Sequence, residues 1–226
     1  MRVMMQLGGR ALRAGGVAAP SVSRRVLSTS EYLKHRPFMN LSDIRGEVYP
    51  NAYIAPSAAV VGDVLVRDHS CVWYGAVVRG DFNAVRLGAH VCVGDKSVIT
   101  TVDLVHTGFA ASTDIGSWVI IEPGASLTSC MIGDRCHIGA GAIVAEGSVV
   151  EAGAQLAAGT VVPAGRLVPR EELWAGNPAK FVRKLEPEEM KKVEQEAVKR
   201  SEMGKEHADE FNPYGQAYLQ AEAMIA

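Results

Sequence analysis

The sequence predicts a mainly β protein built as a parallel β-helix of hexapeptide repeats, and three observations carry that expectation. From Ile54 to Leu167 an aliphatic residue returns at every sixth position for most of the stretch. The phase runs Ile54, Val60, Val66, Val72, Val78, slips by one to Val85 and Val91, and by one more to Val98. It resumes at Ile115, Ile121 and Leu127, loses a residue, and continues through Ile132, Ile138, Val144, Val150, Leu156 and Val162. A helix repeats at 3.6 and a meander strand alternates at 2, so neither holds a spacing of six over about a hundred residues. Second, small and turn-forming residues fill the remainder of each repeat, as in VVGDVL, IGAGAI and LAAGTV, which suits the corners of a three-faced coil. Third, aromatics are only 6% of a chain that is 48% hydrophobic, which fits a narrow shaft lined by Val and Ile better than a globule centred on Phe and Trp.

In chain order, residues 1–30 come first, with five Arg (Arg2, Arg10, Arg13, Arg24, Arg25), no Lys and no acid. Arg10 and Arg13 interrupt the apolar residues, so this is not a secretory core. An Arg-bearing, acid-free leader rich in Ser and Ala reads as a mitochondrial transit peptide, cleaved between Arg25 and Glu31. Without those five charges, 18 basic side chains face 25 acidic ones, leaving about −7 on the remainder, so nothing favours nucleic acid. No run approaches the roughly 18 apolar residues that span a bilayer.

Residues 31–53, with Pro37 and Pro50, are expected to be extended and to lie over the first coil as a lid. Residues 54–185 are the β-helix. Its four cysteines, Cys71, Cys92, Cys130 and Cys136, form no CxxC pair and read as small packed hydrophobes rather than disulfides or ligands. At the end of the shaft Trp174 can cover the open apolar end, and Gly176, Asn177 and Pro178 can reverse the chain. Residues 186–226 form a helical tail, with Pro187 at its first position, Glu188 and Glu189 at the positive end of the dipole, and Met190, Val193 and Ala197 along one side of the shaft.

The chemistry-bearing stretch is CVWYGAVVRGDFNAVRLGAHVCVGDKSVI, residues 71–99. Arg79, Asp81 and Asp95 are charges inside an aliphatic, glycine-rich run. Isolated charges of this kind are often a solvated outer face. Arg79 and Asp81, however, stand two apart and point the same way, which suits a paired site at a subunit seam. Together VWYGAVVRGD, RLGAHVCVGDKSVIT, IEPGASLTSCMIGD, IGAGAIV and LWAGNPAKFVRKL resemble the γ-class carbonic anhydrases over residues 54–185. Hexapeptide acyltransferases share the period and the GNPAK-like tail; the RGD run with the SCMIGD turn separates the two. The resemblance implies a left-handed β-helix, assembled as a trimer with Arg79, Asp81 and Asp95 in a salt-bridge network across subunits. It also implies a metal held at each seam by three His, two from one chain and one from the next.

At the three ligand positions that the resemblance marks, this chain carries Thr100, Pro123 (after Glu122) and Thr128. Zinc is held by imidazole, thiolate or carboxylate groups. A Thr hydroxyl is a poor ligand and Pro has no side-chain donor, so the three-nitrogen cage cannot form. Gly94 stands where the family has a Gln, and Cys92 where it has an Asn. Without the metal nothing lowers the pKa of water toward 7 for attack on carbon dioxide. His106 and Glu122 are the residues from which a displaced site would have to be built, while His69, His90 and His137 read as surface histidines. Near the C-terminus, EFNPYxxxYL resembles the tail of the carbonic-anhydrase-like subunits of mitochondrial respiratory complex I in plants and green algae.

The expectation is a non-catalytic subunit with no cofactor, in a heterotrimer with other γ-carbonic-anhydrase subunits. The trimer would attach to membrane-arm subunits of complex I, peripheral to the matrix side of the inner membrane, and support assembly and stability of that arm. The alternative is an enzyme, an atypical zinc-dependent carbonic anhydrase or a hexapeptide acyltransferase.

Overall fold

A computed structural model describes residues 37–41, 44, 46–106, 108 and 110–225, with side chains through Asp209. The leader expected over residues 1–30 and the aromatic tail motif after Asp209 lie outside those descriptions.

Short strands recur once per hexapeptide and stack in parallel register on the faces of a prism. One face stacks Ile54, Val72, Val93, Ile121, Ile138, Leu156 and Trp174. The second stacks Val60, Val78, Ile99, Leu127, Val144 and Val162. The third stacks Val66, Leu87, Ile115, Ile132, Val150 and Val168. From Val60 onward every member of these columns is at most 6% exposed, so the aliphatic period lines a dry shaft. Each such side chain contributes about 1.5–3 kcal/mol by burial.

The structure corrects the phase between Val78 and Ile115. The inward column runs through Leu87, Val93 and Ile99, not Val85, Val91 and Val98. The difference has a physical cause: strand side chains alternate, so the residue two places before each column member also turns inward. That second inward position holds Val85 and Val91, and elsewhere Ala76, Ser97, Ala125, Cys136, Ala142, Ser148, Ala154 and Thr160, all buried. Val98 points outward at 36% exposure beside a fully buried Ile99.

The N-terminal segment adds parallel strands to the first coil, Phe38–Met39 against Val60–Val61 and Glu47–Val48 against Leu65–Val66. At the far end Trp174 closes the shaft at 6% exposure, with the Arg166 guanidinium 5.2 Å from its ring centre. The chain then reverses, and Lys180–Lys184 pairs antiparallel with Glu172–Ala175.

The helix Pro187–Ile225 runs back along the first face. Glu188 and Glu189 occupy its first turn, and Glu189 Oε2 accepts the Glu186 N–H at 2.9 Å, a back-bonded cap. Val193 and Ala197 are buried against Ile120 and Trp118. Further along, a Cβ on Gly204 would stand 3.3 Å from Cys71 Cβ, so glycine lets the helix seat closely there.

The cysteines require a second correction. Cys71 and Cys92 are register partners on neighbouring strands, their Cα atoms 4.9 Å apart, and they are joined as a disulfide beneath the helix. Cys130 and Cys136 are free and buried as expected, and burial pushes each thiol up to about 12.

Candidate functional site

The second face carries the residues singled out by the sequence. Arg79 and Asp81 lie on the strand Val77–Leu87, which turns a prism corner between them. Gly80 sits at that corner because a Cβ there would meet the Asp63 carbonyl oxygen at 2.2 Å. The flanking charges pair directly, Arg79 Nη2 donating to Asp81 Oδ2. Asp95 is placed elsewhere: its Oδ1 accepts the Tyr74 N–H at 3.0 Å, which fixes the preceding coil's corner. Among the described residues no hydrogen bond or ion pair within the chain joins Asp95 to Arg79 or Asp81.

Thr100 ends the strand Val98–Thr100 and Thr128 ends Ser126–Thr128, and the two strands pair in register with Thr100 opposite Thr128. Their hydroxyl oxygens lie 3.4 Å apart. The fold thus brings together two of the three positions that the resemblance marks as ligands. Pro123 follows the strand Ile120–Ile121 in the turn before Ser126, at the other end of this face.

Neutral hydroxyls and a proline ring do not fit zinc, which takes thiolate, imidazole or carboxylate donors. Glu122, the nearest carboxylate in sequence, is already engaged. Its Oε1 accepts from Arg200 Nη2 at 2.6 Å and meets His137 Nε2 at 3.2 Å. Burial opposes its ionisation, but the bonds from Arg200 and His137 prevail and hold its carboxyl below the usual range. Arg200 also reaches Glu196 one turn earlier, so this group ties the helix to the shaft. His106 is exposed in the insertion after Thr100. Among the described residues no group of three His, Cys, Asp or Glu side chains converges as a metal site.

Gly94 shows how closed this region is. A Cβ there would lie 2.7 Å from the Glu122 carbonyl carbon, the Ile121 oxygen and the Pro123 nitrogen. The space in which a Gln would project is filled by the backbone of the next coil.

Sequence reasoning missed the residues that anchor the insertion between Thr100 and Thr113. Asn83 Nδ2 donates to Val102 O at 2.6 Å, and Ser129 Oγ donates to Ala111 O at 2.6 Å while accepting the Val102 N–H at 2.8 Å. Neither Asn83 nor Ser129 adjoins the insertion in sequence, so no local pattern marks them. The insertion presents Leu104 at 68% exposure, Phe82 at 64% lies on the strand of Arg79 and Asp81, and Ile143 at 46% lies on the strand paired with Ser126–Thr128. Exposed apolar side chains rimmed by an ion pair have the make-up of a protein interface. The expected surface histidines differ from expectation in one respect: His69, His90 and His137 are half-buried at the edge of the C-terminal helix.

Comparison with known proteins places these features among relatives. Gamma carbonic anhydrase-like 1, mitochondrial, of Arabidopsis thaliana is 46% identical over 192 residues, covering 85% of this chain and 76% of that protein. Gamma carbonic anhydrase 1, mitochondrial, of the same plant is 39% identical over 177 residues, covering 78% of this chain and 64% of its own length, so the chain spans less than two thirds of that relative. Among solved structures, a hexapeptide transferase family protein from Anaplasma phagocytophilum superposes with a TM-score of 0.68 at 32% identity, over 74% of this chain and 95% of that one. No family model matches the chain.

Proposed function

This chain belongs to the γ-class carbonic anhydrase family, and from that premise we propose that it is a non-catalytic, structural member of it. The observation that carries the proposal is the threonine pair: two hydroxyls 3.4 Å apart occupy the place where two imidazoles would converge. Pro123 withdraws the third ligand. Relatives whose names place them in mitochondria support import, in keeping with the Arg-bearing leader.

In this reading the chain joins other γ-carbonic-anhydrase subunits in a heterotrimer through the second face, with Arg79, Asp81 and Asp95 in ion pairs across the seams. The trimer sits on the matrix side of the inner mitochondrial membrane, against membrane-arm subunits of respiratory complex I, where its role is assembly and stability. Each subunit of a trimer lines two of three seams, so one chain without ligands disables both of its own. At most one metal site is left, between the other two subunits.

Co-purification tests the placement. The mature protein is expected to migrate with the large respiratory complex, and deletion of its gene should lower the amount of assembled membrane arm. Migration solely as a free trimer, with the complex intact in its absence, would contradict the role. The superposition on a hexapeptide transferase favours one other reading, acyl transfer. Clear thermal stabilisation by acetyl-CoA would support that alternative.

A further inference from the structure

The C-terminal helix closes over a row of imidazoles. Of the histidines among the described residues, His69, His90, His137 and His207 all lie at the seam between helix and shaft, and His106 lies away from it. Two of the four rings have polar partners: His137 meets Glu122, and His207 Nδ1 lies 2.9 Å from Tyr74 Oη. Ser201 Oγ, from the helix, donates to the His69 carbonyl oxygen at 2.6 Å.

His90 is built differently. It occupies a prism corner with φ 56°, between His69 at 59° and Trp118 at 55° in the neighbouring coils. That repeated left-handed conformation, rare outside glycine and held here by the turn, aims three rings the same way. His69 stacks on one side of His90 at 4.9 Å between ring centres and Trp118 on the other at 6.2 Å, with interplanar angles of 12° and 6°. Enclosed in this stack, His90 Nδ1 has no hydrogen-bond partner.

The charged groups facing this ring are His69 and Lys205, the latter from the helix. Asp68 contributes its backbone oxygen to the His90 N–H, while its carboxylate turns to Asn51 Nδ2 at 3.4 Å. A neutral His90 leaves one acceptor unpaired. A protonated His90 would leave a charged N–H enclosed without an acceptor, between another imidazole and a lysine, which is the heavier penalty. The Trp118 face offers a cation some attraction, but too little to offset an unpaired buried donor.

We propose that His90 is a proton-sensitive latch for the C-terminal helix: the helix is docked while this ring is neutral and is released from this end when the ring takes up a proton. Desolvation, then His69 and Lys205, all lower its affinity for a proton in the docked state. The sign follows. Docking is complete above the usual histidine value of about 6.5 and weakens below it, by at most about tenfold per pH unit for one proton. Val193 and Ala197 are held by apolar packing on Ile120, so loss should begin around residues 199–208 and spare residues 188–197. The latch does not depend on the proposed assembly role.

Hydrogen–deuterium exchange of the full chain between pH 7.5 and 5.5, corrected for the chemical exchange rate, tests it. Protection of residues 199–208 is expected to fall as pH drops below about 6.5, approaching tenfold per unit, with residues 188–197 unchanged. His90→Phe, which keeps a stacked ring without a titrating nitrogen, should abolish the fall. Lys205→Gln removes a charge that lowers the ring's proton affinity in the docked state, so the onset and slope should match the wild type while the fall levels off at a higher pH, with a smaller total loss. Flat protection in the wild type, a His90→Phe variant with the wild-type fall, or a Lys205→Gln variant with greater loss would each overturn the proposal.

Discussion

Replacing Ile99 and Val98 by Ala, one at a time, separates two registers that differ by a single residue. Ile99 is fully buried in the second column between Val78 and Leu127, whereas Val98 is 36% exposed on the outer face. Ile99→Ala removes three carbons from the shaft, about 2.4 kcal/mol at roughly 0.8 kcal/mol each. The cavity adds to this, since stacked coils above and below cannot collapse into it; the total is about 3–4 kcal/mol, inside the range of about 2–5 for such truncations. For a unit of this size that lowers Tm by roughly 6–16 °C. Val98→Ala removes two carbons that already meet solvent and should cost less than about 1 kcal/mol. Urea denaturation followed by circular dichroism measures both. Because Val98 lies on the proposed seam, the series is run at several protein concentrations: an association effect varies with concentration and a core effect does not. A concentration-independent cost for Val98→Ala that equals or exceeds that of Ile99→Ala would refute the register.

Two further outcomes follow from contacts at the candidate site and the helix. Gly94→Gln, which restores the residue type that the family resemblance expects, should destabilise the chain by about 1–3 kcal/mol through overpacking against the Glu122–Pro123 backbone, read by the same denaturation. An unchanged or raised stability would show that this turn yields easily. Glu122 has a depressed carboxyl, so its contribution to helix docking is present above the ordinary value of 4.5 and is lost as pH falls through its lowered one. Glu122→Gln should therefore weaken docking at pH 7 and flatten the acid limb below pH 4.5, seen as exchange protection of residues 193–200. A variant with the wild-type acid limb would place that titration on other groups.

Much of the fold is written in the sequence because a solenoid repeats one packing decision many times. Aliphatic residues six apart gave the coil, and Pro187 with Glu188 and Glu189 marked the start of the helix. The register after Val78 was not legible, because Val85 and Leu87 both face inward and either continues the pattern. The Cys71–Cys92 link was hidden for the same reason: a spacing of 21 residues becomes a ladder pair only once the inserted residues of that coil are placed. Within the site, Thr100 and Thr128 could be located by motif and the Arg79–Asp81 pair by spacing. The Glu122–Arg200 contact joins residues 78 positions apart and depends on which face the helix covers, which no local pattern encodes.

A non-catalytic role requires that the threonine pair and Pro123 be unable to hold a cation. Its most direct test is zinc content, by mass spectrometry under native conditions, of a trimer reconstituted from this chain and two relatives that keep all three histidines. One zinc per trimer or none is the expected result. A second zinc, bound at a seam that this chain lines and accompanied by carbon dioxide hydration that disappears when the metal is stripped, would contradict it.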